Sequence, residues 1–438
     1  MTENLPVQLA SIVVLGVGAQ WLAWRLKLPA ILLLLLAGFL AGPALEWAGY
    51  RRLVDPDRLL GDLLLPVVSL SVAVILFEGG LSLNLAELVH SGGVIRNLVT
   101  LGAAVTWGVA TVAARVVLGL TWPLATLLGA ILVVTGPTVI GPLLRHVKPT
   151  GRTGPILRWE GIVIDPIGAM LAVLVFEAIP QPKLPSVLAV LLAGSLKTVL
   201  IGGGIGLAGA LAVVLFLRRY WIPDFLQNPV TLMTVVAAFT ASNALRPESG
   251  LFAVTAMGII LANQGHVTVK PIAEFKESLT ILLVSALFIV LASRLTIGQI
   301  ASVGPRSVLF TLVLMLVARP AAVAVSTIGS GLSWGERAFL AAMAPRGIVA
   351  ASVAAVFALR LRASGVEGAD RLVPATFAVI VGTVGVYGLA ATRVARRLGL
   401  SPSHPGFLIA GANPVARAIG EALRAEGLPL LLVDTRAE

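Results

Sequence analysis

Apolar runs of about 20 residues recur along almost the whole chain, and they restrict its fold more than any other feature. A helix of that length spans the hydrocarbon core of a lipid bilayer. Of the 438 residues, 58% are hydrophobic and only 12% are charged, whereas ordinary soluble domains carry about 25% charged residues. Because a soluble fold cannot hide this much apolar surface, the sequence predicts an all-α, polytopic membrane protein.

Charged residues and Pro/Gly punctuation divide the chain into about thirteen such runs. The predicted spans are 6–24, 28–49, 60–83, 94–119, 122–144, 154–178, 185–217, 227–245, 249–264, 277–297, 305–328, 335–359 and 371–393. The seventh run is long enough to contain an interfacial piece before Lys197. The start MTENLPVQLA lacks the basic segment of a cleavable signal.

The net charge of +11 comes from Lys and Arg scattered among short loops, so we interpret it as positive-inside charge rather than nucleic-acid binding. With an odd number of spans, one side collects five basic loops, around residues 25–27, 145–152, 218–219, 270–276 and 393–397. The other side holds two, around 51–58 and 360–371. This bias predicts a multi-pass protein of the plasma or inner membrane, with its N-terminus outside and its C-terminus in the cytoplasm.

The last 35 residues change character and follow the order strand, glycine turn, helix, strand. That order opens a doubly wound nucleotide-binding domain. Gly411 keeps the first position of the G-x-G-x-x-G pattern, Asn413 and Ala416 replace the other two glycines, and Asp434 stands where a ribose-binding acid would. Because such a piece cannot build its own core, we expect the chain to continue beyond Glu438. The predicted domains are therefore 1–399 in the membrane and the 404–438 fragment, with Gly411, Asn413 and Asp434 as its nucleotide-binding residues.

Two of the predicted spans are interrupted at matching positions. Gly136-Pro137 breaks the fifth run, and Pro345-Arg346-Gly347 breaks the twelfth. If the seventh helix is a linker, both are the fifth element of a six-helix half. Interrupted helices at matching positions in two halves indicate the substrate site of a transporter.

Ionisable residues inside apolar runs are costly and are functional candidates by default. Asp165 lies near the middle of the sixth run, and Pro166 removes the N–H that would bond the carbonyl of Ile162. A buried carboxylate beside a free carbonyl can hold either a proton or a small cation, which is the minimum requirement for exchange. Asp165 is thus the predicted carrier, against the alternative of a structural carboxylate paired with a base or an amide.

Glu160 lies five residues earlier, about 140° around the helix from Asp165. Because it cannot easily share the Asp165 site, we predict a buried ion pair between Glu160 and Arg346 of the other broken helix. Thr135 and Thr138 flank the first break, where Pro137 frees the carbonyl of Val133 for an ion site. An ordinary proline kink is the alternative there.

The sequence alone leaves more than one role open for some of the remaining polar positions. Glu78 has two interpretations, as part of the cation path or as a cap near the interface. Arg319 is expected to be structural, either snorkelling or pairing with an acid, whereas Lys197 has no assigned role. The G-x-x-x-G of Gly202 and Gly206 indicates helix packing rather than chemistry.

Four segments in this order, LFEGGLSLN, TGPTVIGPLL, RWEGIVIDPIGA and APRGIVAAS, make residues 6–397 resemble the NhaP-like branch of the cation/proton antiporters. The tail resembles the RCK (TrkA-N) nucleotide-binding domain. The resemblance implies thirteen helices in two inverted repeats, two crossed discontinuous helices, a homodimer and elevator-like alternating access. It also places Asp165 on the ion-binding aspartate, Glu160 and Arg346 on the buried ion pair, Thr135 on the unwound-segment threonine and Glu78 on an acid that lines the site.

The sequence departs from that pattern in three places. Ile164, Gly136 and Gly161 stand where relatives often have Asn or Asp, Asp, and Ser. With Asp165 as the one alternating acid, exchange of Na⁺ or K⁺ (or Li⁺) for H⁺ is predicted to be electroneutral. The transport site is predicted to need no cofactor, while NAD(H) or an adenine nucleotide at the tail would regulate transport.

Two other classes of function fit the sequence less well than exchange does. A nucleotide-gated cation channel is disfavoured because no carbonyl-ring filter sequence such as TVGYG occurs. A membrane enzyme is disfavoured because the chain has no cysteine and its four histidines form no metal-ligand spacing.

Overall fold

The computed structural model describes residues 5–26, 28–179, 184–400, 407–411, 413–428 and 430–434. Lys27 of the predicted basic loops, and residues 404–406 and 435–438 of the predicted tail fragment, lie outside these ranges. The described part is helical almost throughout, as the apolar runs predict.

Helices α1 to α8 account for residues 5–245; α5 is interrupted, and α3 bends at Gly61, whose φ is +49°. Their bounds are α1 Leu5–Leu26, α2 Ala30–Trp47, α3 Pro56–Leu81, α4 88–117, α5a Trp122–Ile131, α5b Pro137–Val147, α6 Thr153–Ala178, α7 Leu184–Arg218 and α8 Gln227–Leu245. The seventh run is one continuous helix, with no separate interfacial piece before Lys197.

The rest of the membrane part contains the second interrupted helix. The bounds are α9 Ser249–Asn263, α10 Lys270–Ser293, α11 297–326, α12a Trp334–Ala341, α12b Ile348–Ala363 and α13 Leu372–Arg397. Helix α11 kinks at Gly304 and widens to a π-turn at Leu314–Ala318, directly before Arg319 and Pro320. A proline cannot donate the usual helical hydrogen bond, which accounts for the wider turn.

Helix contacts divide the bundle into two bodies. We call the body made of α1, α2, α3 and α7 to α10 the scaffold body, and the body made of α4, α5, α6, α11, α12 and α13 the crossing body. Within the scaffold body, α7 meets α9 through Gly202 and Gly206, where a Cβ would overlap the backbone of Ser249 and Ala253. The predicted packing role of this G-x-x-x-G is confirmed.

Among the described residues, nine helices are long and apolar enough to cross a membrane by themselves. Shorter apolar helices are formed by Trp122–Ile131, Ser249–Asn263 and Ser278–Ser293. The helix bounds follow the predicted runs, while the number of membrane crossings stays a prediction.

The tail forms one βαβ unit. Strands β1 (Phe407–Ala410) and β2 (Leu430–Val433) pair in parallel, with Phe407 opposite Leu430, and α14 (Pro414–Ala425) connects them. The Gly411 N–H donates to Val433 O at 2.7 Å and extends the pairing by one residue. The described elements run strand, helix, strand, and the assignment of this segment to a nucleotide-binding domain stays a prediction.

Candidate functional site: the crossing of two broken helices

The two helix breaks touch each other at two glycines. The Gly136 N–H donates to Pro345 O at 3.1 Å, and a Cβ on either Gly136 or Gly347 would lie 2.5 Å from the Cα of the other. Real Cβ atoms do not approach a neighbouring Cα that closely, so each position needs glycine for the crossing to form. The sequence predicted both breaks and the resemblance implied that they cross, but the two contacting glycines were not predicted.

Four half-helix ends surround this contact. Helices α5a and α12a end at Ile131 and Ala341, whereas α5b and α12b begin at Pro137 and Ile348. Helix C-termini carry partial negative charge and N-termini partial positive charge. The crossing thus places both signs of backbone charge at one buried point.

Arg346 neutralises the negative end of α5a. Its Nη1 donates to Val133 O at 3.1 Å and to Val134 O at 3.2 Å, and the side chain is buried. The Val133 carbonyl, which the sequence analysis left free for an ion, therefore has a partner. Arg346 acts here as the counter-charge of a helix end.

Thr383 fixes the backbone at the second break, and sequence reasoning missed it. The Arg346 N–H donates to Thr383 Oγ1 at 3.2 Å, and that hydroxyl donates in turn to Val379 O at 2.7 Å. A threonine is common in apolar helices, so the signal in the sequence was weak. Its position about three turns into α13, next to a break in another helix, is visible only in three dimensions.

The predicted ion pair between Glu160 and Arg346 is wrong in this structure, because Glu160 pairs with Arg319. Arg319 Nη2 donates to Glu160 Oε2 at 2.9 Å, and Nη1 donates to Oε1 in a second parallel contact. Arg319 Nε also donates to Leu340 O at 2.9 Å. These contacts of Arg319 join α6, α11 and the end of α12a, so Arg319 has a structural role.

Asp165 has no such partner. Its side chain is fully buried on α6, and neither carboxylate oxygen has a hydrogen-bond partner. Gly168, three residues on and on the same helix face, packs so closely on Val134 that a Cβ there would overlap it. Asp165 thus faces the α5 break.

Two buried hydroxyls at the same break also lack partners. Thr135 Oγ1 in the break and Thr138 Oγ1 in the first turn of α5b have no hydrogen-bond partner. Each unsatisfied buried polar group costs about 1–3 kcal/mol. The Asp165 carboxylate and these two hydroxyls are oxygen groups of the kind that small hard cations prefer as ligands.

Glu78 reaches this region from the scaffold body. It is half-buried near the end of α3 and lines a cavity of about 620 Å³ together with Thr138 and Ile162. The same cavity is lined by Arg145, Lys148 and Arg158. The structure therefore joins Glu78 to Thr138 through one cavity, whose lining does not include Asp165 or Thr135.

The remaining sequence-based positions lie away from the crossing. Lys197 is exposed on the outer surface of α7. In the tail, Asn413 Oδ1 accepts from Ala416 N–H at 2.8 Å and caps α14. Gly411 has a φ of +99°, which only glycine adopts freely, and Asp434 follows β2. The cap gives Asn413 a structural role in this fragment.

Comparison with known proteins identifies the membrane part. Residues 10–397 match the family described as sodium/hydrogen exchanger, transmembrane. The K⁺/H⁺ antiporter NhaP2 of Shewanella sp. (strain ANA-3) is 25% identical over 373 residues, which cover 85% of this chain and 63% of that protein. The Na⁺/H⁺ antiporter 1 of Methanocaldococcus jannaschii is 25% identical over 370 residues, which cover 82% of this chain and 83% of that protein.

A solved structure supports the same fold. The structure of the sodium proton antiporter MjNhaP1 from Methanocaldococcus jannaschii at pH 8 superposes with a TM-score of 0.75 and 22% identity, covering 89% of this chain and 97% of that one. At this identity the likeness establishes the fold. The chain spans about 63% of the length of the Shewanella relative it matches.

Proposed function

The chain belongs to the transmembrane sodium/hydrogen exchanger family, and on that premise we propose that it exchanges a monovalent cation for a proton at Asp165. The observation that carries the proposal is a fully buried carboxylate with no hydrogen-bond partner at the contact of two broken helices. A buried charge without a partner costs several kcal/mol. Asp165 is therefore stable only when it binds a proton or a cation.

Competition for this one carboxylate couples the two ions. The hydroxyls of Thr135 and Thr138 supply neutral oxygen ligands that a cation can use and a proton does not need. Glu78 borders the adjoining cavity as the second acid of the site. Binding either ion relieves the unpaired charge, and neither can bind to Asp165 while the other is there.

The proposed exchange is one for one. Glu160 is neutralised by Arg319, and Arg346 keeps its positive charge on the carbonyls of α5a. The Asp165 site consequently has the same net charge with a bound proton as with a bound monovalent cation. The names of the relatives make Na⁺ and K⁺ the first cations to test.

The wider architecture is proposed from the family resemblance and the matching breaks. Thirteen crossings would form two inverted six-helix repeats joined by α7, in a homodimer with the N-terminus outside and the C-terminus in the cytoplasm. The crossing body would move against the scaffold body, and α6 carries Asp165 within the moving part. Such a protein in the cell membrane would serve pH homeostasis.

The tail is proposed as the start of a regulatory nucleotide-binding domain of the RCK type. Its parallel βαβ order and the positive φ of Gly411 support this proposal. The proposed ligand is NAD(H) or an adenine nucleotide, bound at the glycine turn and at Asp434. Asn413 would contribute through the helix that it caps.

The experiment is cation-driven proton flux in liposomes that hold the purified protein and an internal pH dye. Addition of Na⁺, K⁺ or Li⁺ outside is expected to drive protons out with the wild-type protein. Asp165→Asn is expected to abolish the flux while the protein folds and inserts normally, because an amide cannot exchange protons or balance a cation's charge. Lys197→Gln, which removes an exposed charge, is the matched control and should transport normally. Cation-dependent flux in Asp165→Asn would refute Asp165 as the carrier.

A further inference from the structure

A cleft between the two bodies lies at the end of the bundle where α1 and α5b end. It has a volume of about 670 Å³, and it is bounded by α1 and α2 of the scaffold body and by α5b and α13 of the crossing body. Arg25 lines it from the last turn of α1, and Arg145 lines it from the last turn of α5b. The basic loops around 25–27 and 145–152, which charge alone assigned to one membrane face, therefore meet at this cleft.

The lining of the cleft combines an apolar wall with positive charge. Apart from Gln20, Arg25 and Arg145, the lining residues are apolar, and none of the described lining residues is acidic. Both arginine side chains are exposed. An apolar wall favours a hydrocarbon chain, whereas guanidinium groups in a lining without acids favour an anion. A ligand that satisfies both conditions is an amphipathic anion.

Arg25 is the base of this cleft that has a charge to offer. It makes no hydrogen bond or ion pair with the residues that the structure describes. Trp24 beside it is 75% exposed, and tryptophan near a helix end is typical of the head-group level of a bilayer. A guanidinium at that depth can donate two parallel hydrogen bonds to a phosphate.

We propose that the cleft binds one anionic phospholipid, with its phosphate on Arg25 and an acyl chain between the two bodies. Basic pockets between transmembrane helices on the cytoplasmic side are typical sites for anionic head groups, and that side is the predicted one for both loops. A water-soluble anion would use the arginine but leave the apolar wall uncovered. The lipid, rather than free phosphate, is therefore the proposed occupant.

The bound lipid would also act on the cation path. Gln20, Pro142 and Arg145 line both this cleft and the cavity bordered by Glu78, so the two spaces adjoin. Three bases, one of them Arg145, line the Glu78 cavity and oppose the entry of a cation. A lipid phosphate beside the cleft would offset part of that positive charge. This consequence rests on the proposed exchange, whereas the binding of the lipid does not.

The test of binding is the melting temperature of the purified protein in neutral detergent, with phosphatidylglycerol or phosphatidylcholine added. A ligand of the folded state raises the melting temperature, so phosphatidylglycerol should raise it by about 3 °C or more and phosphatidylcholine should not. Arg25→Gln should lose most of that shift. Ala30→Phe, which narrows the cleft and keeps both arginines, should lose it as well.

Controls separate the cleft from general surface charge and from the carrier. Arg219→Gln removes an exposed base of another loop on the same predicted face and should keep the full shift. Asp165→Asn should also keep it, because lipid binding does not require exchange. An equal shift with phosphatidylcholine or with inorganic phosphate, a full shift in Arg25→Gln, or an equal loss in Arg219→Gln would overturn the site.

Exchange in liposomes tests the effect on the cation. Anionic liposomes attract cations to the surface of every variant, so the measured quantity is the ratio of half-saturating cation concentrations in neutral and in phosphatidylglycerol liposomes. We expect this ratio to be about twofold larger for the wild-type protein than for Arg25→Gln, since the bound phosphate adds a local negative charge. Equal ratios in the two proteins would overturn the electrostatic effect.

Discussion

Helix α6 carries two buried carboxylates on different faces, and their hydrogen bonding differs completely. Glu160 is held by both terminal nitrogens of Arg319, whereas Asp165, five residues later, has no hydrogen-bond partner for either oxygen. Both are almost completely buried. Burial alone therefore does not distinguish the two carboxylates, whereas their hydrogen bonding does, and the proposal of Asp165 as the carrier rests on that difference.

The largest expected effect on stability comes from breaking the paired face. Glu160→Ala leaves the Arg319 guanidinium buried without a counter-charge, which should lower the free energy of unfolding by about 3–5 kcal/mol. Asp165→Asn removes a buried charge that has no partner, so it should leave the melting temperature unchanged or raise it. Thermal unfolding of the purified variants in detergent measures both.

A double replacement and a surface pair serve as controls for this contrast. Glu160→Gln with Arg319→Gln removes both charges and should recover much of the loss, because no uncompensated charge remains. Arg294→Ala breaks an exposed pair with Asp57 and should cost at most about 1 kcal/mol. A normal melting temperature for Glu160→Ala would show that the pair does not stabilise the bundle.

A smaller effect, on rate rather than stability, is expected at Arg346. Its charge lies on the carbonyl end of α5a, next to the helix face that carries Asp165. In Arg346→Gln the site becomes more negative, so both a cation and a proton should be held more tightly and released more slowly. We expect the maximal exchange rate and the half-saturating cation concentration to fall together, by about tenfold, for the loss of 1–2 kcal/mol of counter-charge.

Arg346→Lys keeps the charge and is the matched control for that measurement. It should retain most of the rate, since the charge rather than the planar guanidinium shape neutralises the helix end. A wild-type exchange rate and an unchanged half-saturating cation concentration in Arg346→Gln would refute the counter-charge role. Arg346 would then contribute to the fold but not to ion binding.

The sequence located the helices and the breaks that build the site, but it did not identify which charged side chains pair there. Apolar runs located the helices, and Gly136-Pro137 and Pro345-Arg346-Gly347 located both breaks, since proline and glycine act within a few residues along the chain. Partner choice is a three-dimensional property. Arg346 was assigned to Glu160 because both lay in apolar runs, whereas the structure gives Glu160 to Arg319 and satisfies Arg346 with backbone carbonyls.

Thr383 was missed for a related reason. It is an ordinary threonine in an apolar helix, and nothing along the chain separates it from Thr255 or Thr376. What distinguishes it is that its hydroxyl accepts from the backbone N–H of Arg346 at the break of α12. Local sequence does not encode that contact, because it joins residues that only the fold brings together.

The smallest expected effect is that of membrane potential, and the contrast between the two carboxylates predicts it. Because Arg319 neutralises Glu160, Asp165 is the acid of α6 that we expect to alternate between proton and cation. The proposed site would then move the same charge in both directions. A net charge crossing the membrane would feel about 2.3 kcal/mol per 100 mV, which is a rate or equilibrium change of roughly fiftyfold. Clamping the liposome potential with K⁺ and valinomycin during Na⁺-driven proton flux, or with the ions exchanged if K⁺ is the substrate, should therefore leave both rate and end-point unchanged.

Glu78 is the residue that would break this expectation, because a second titrating acid beside the cavity adds a proton to the cycle. An end-point that shifts with the imposed potential, and returns to indifference in Glu78→Gln, would replace one-for-one exchange with a cycle in which two carboxylates carry protons.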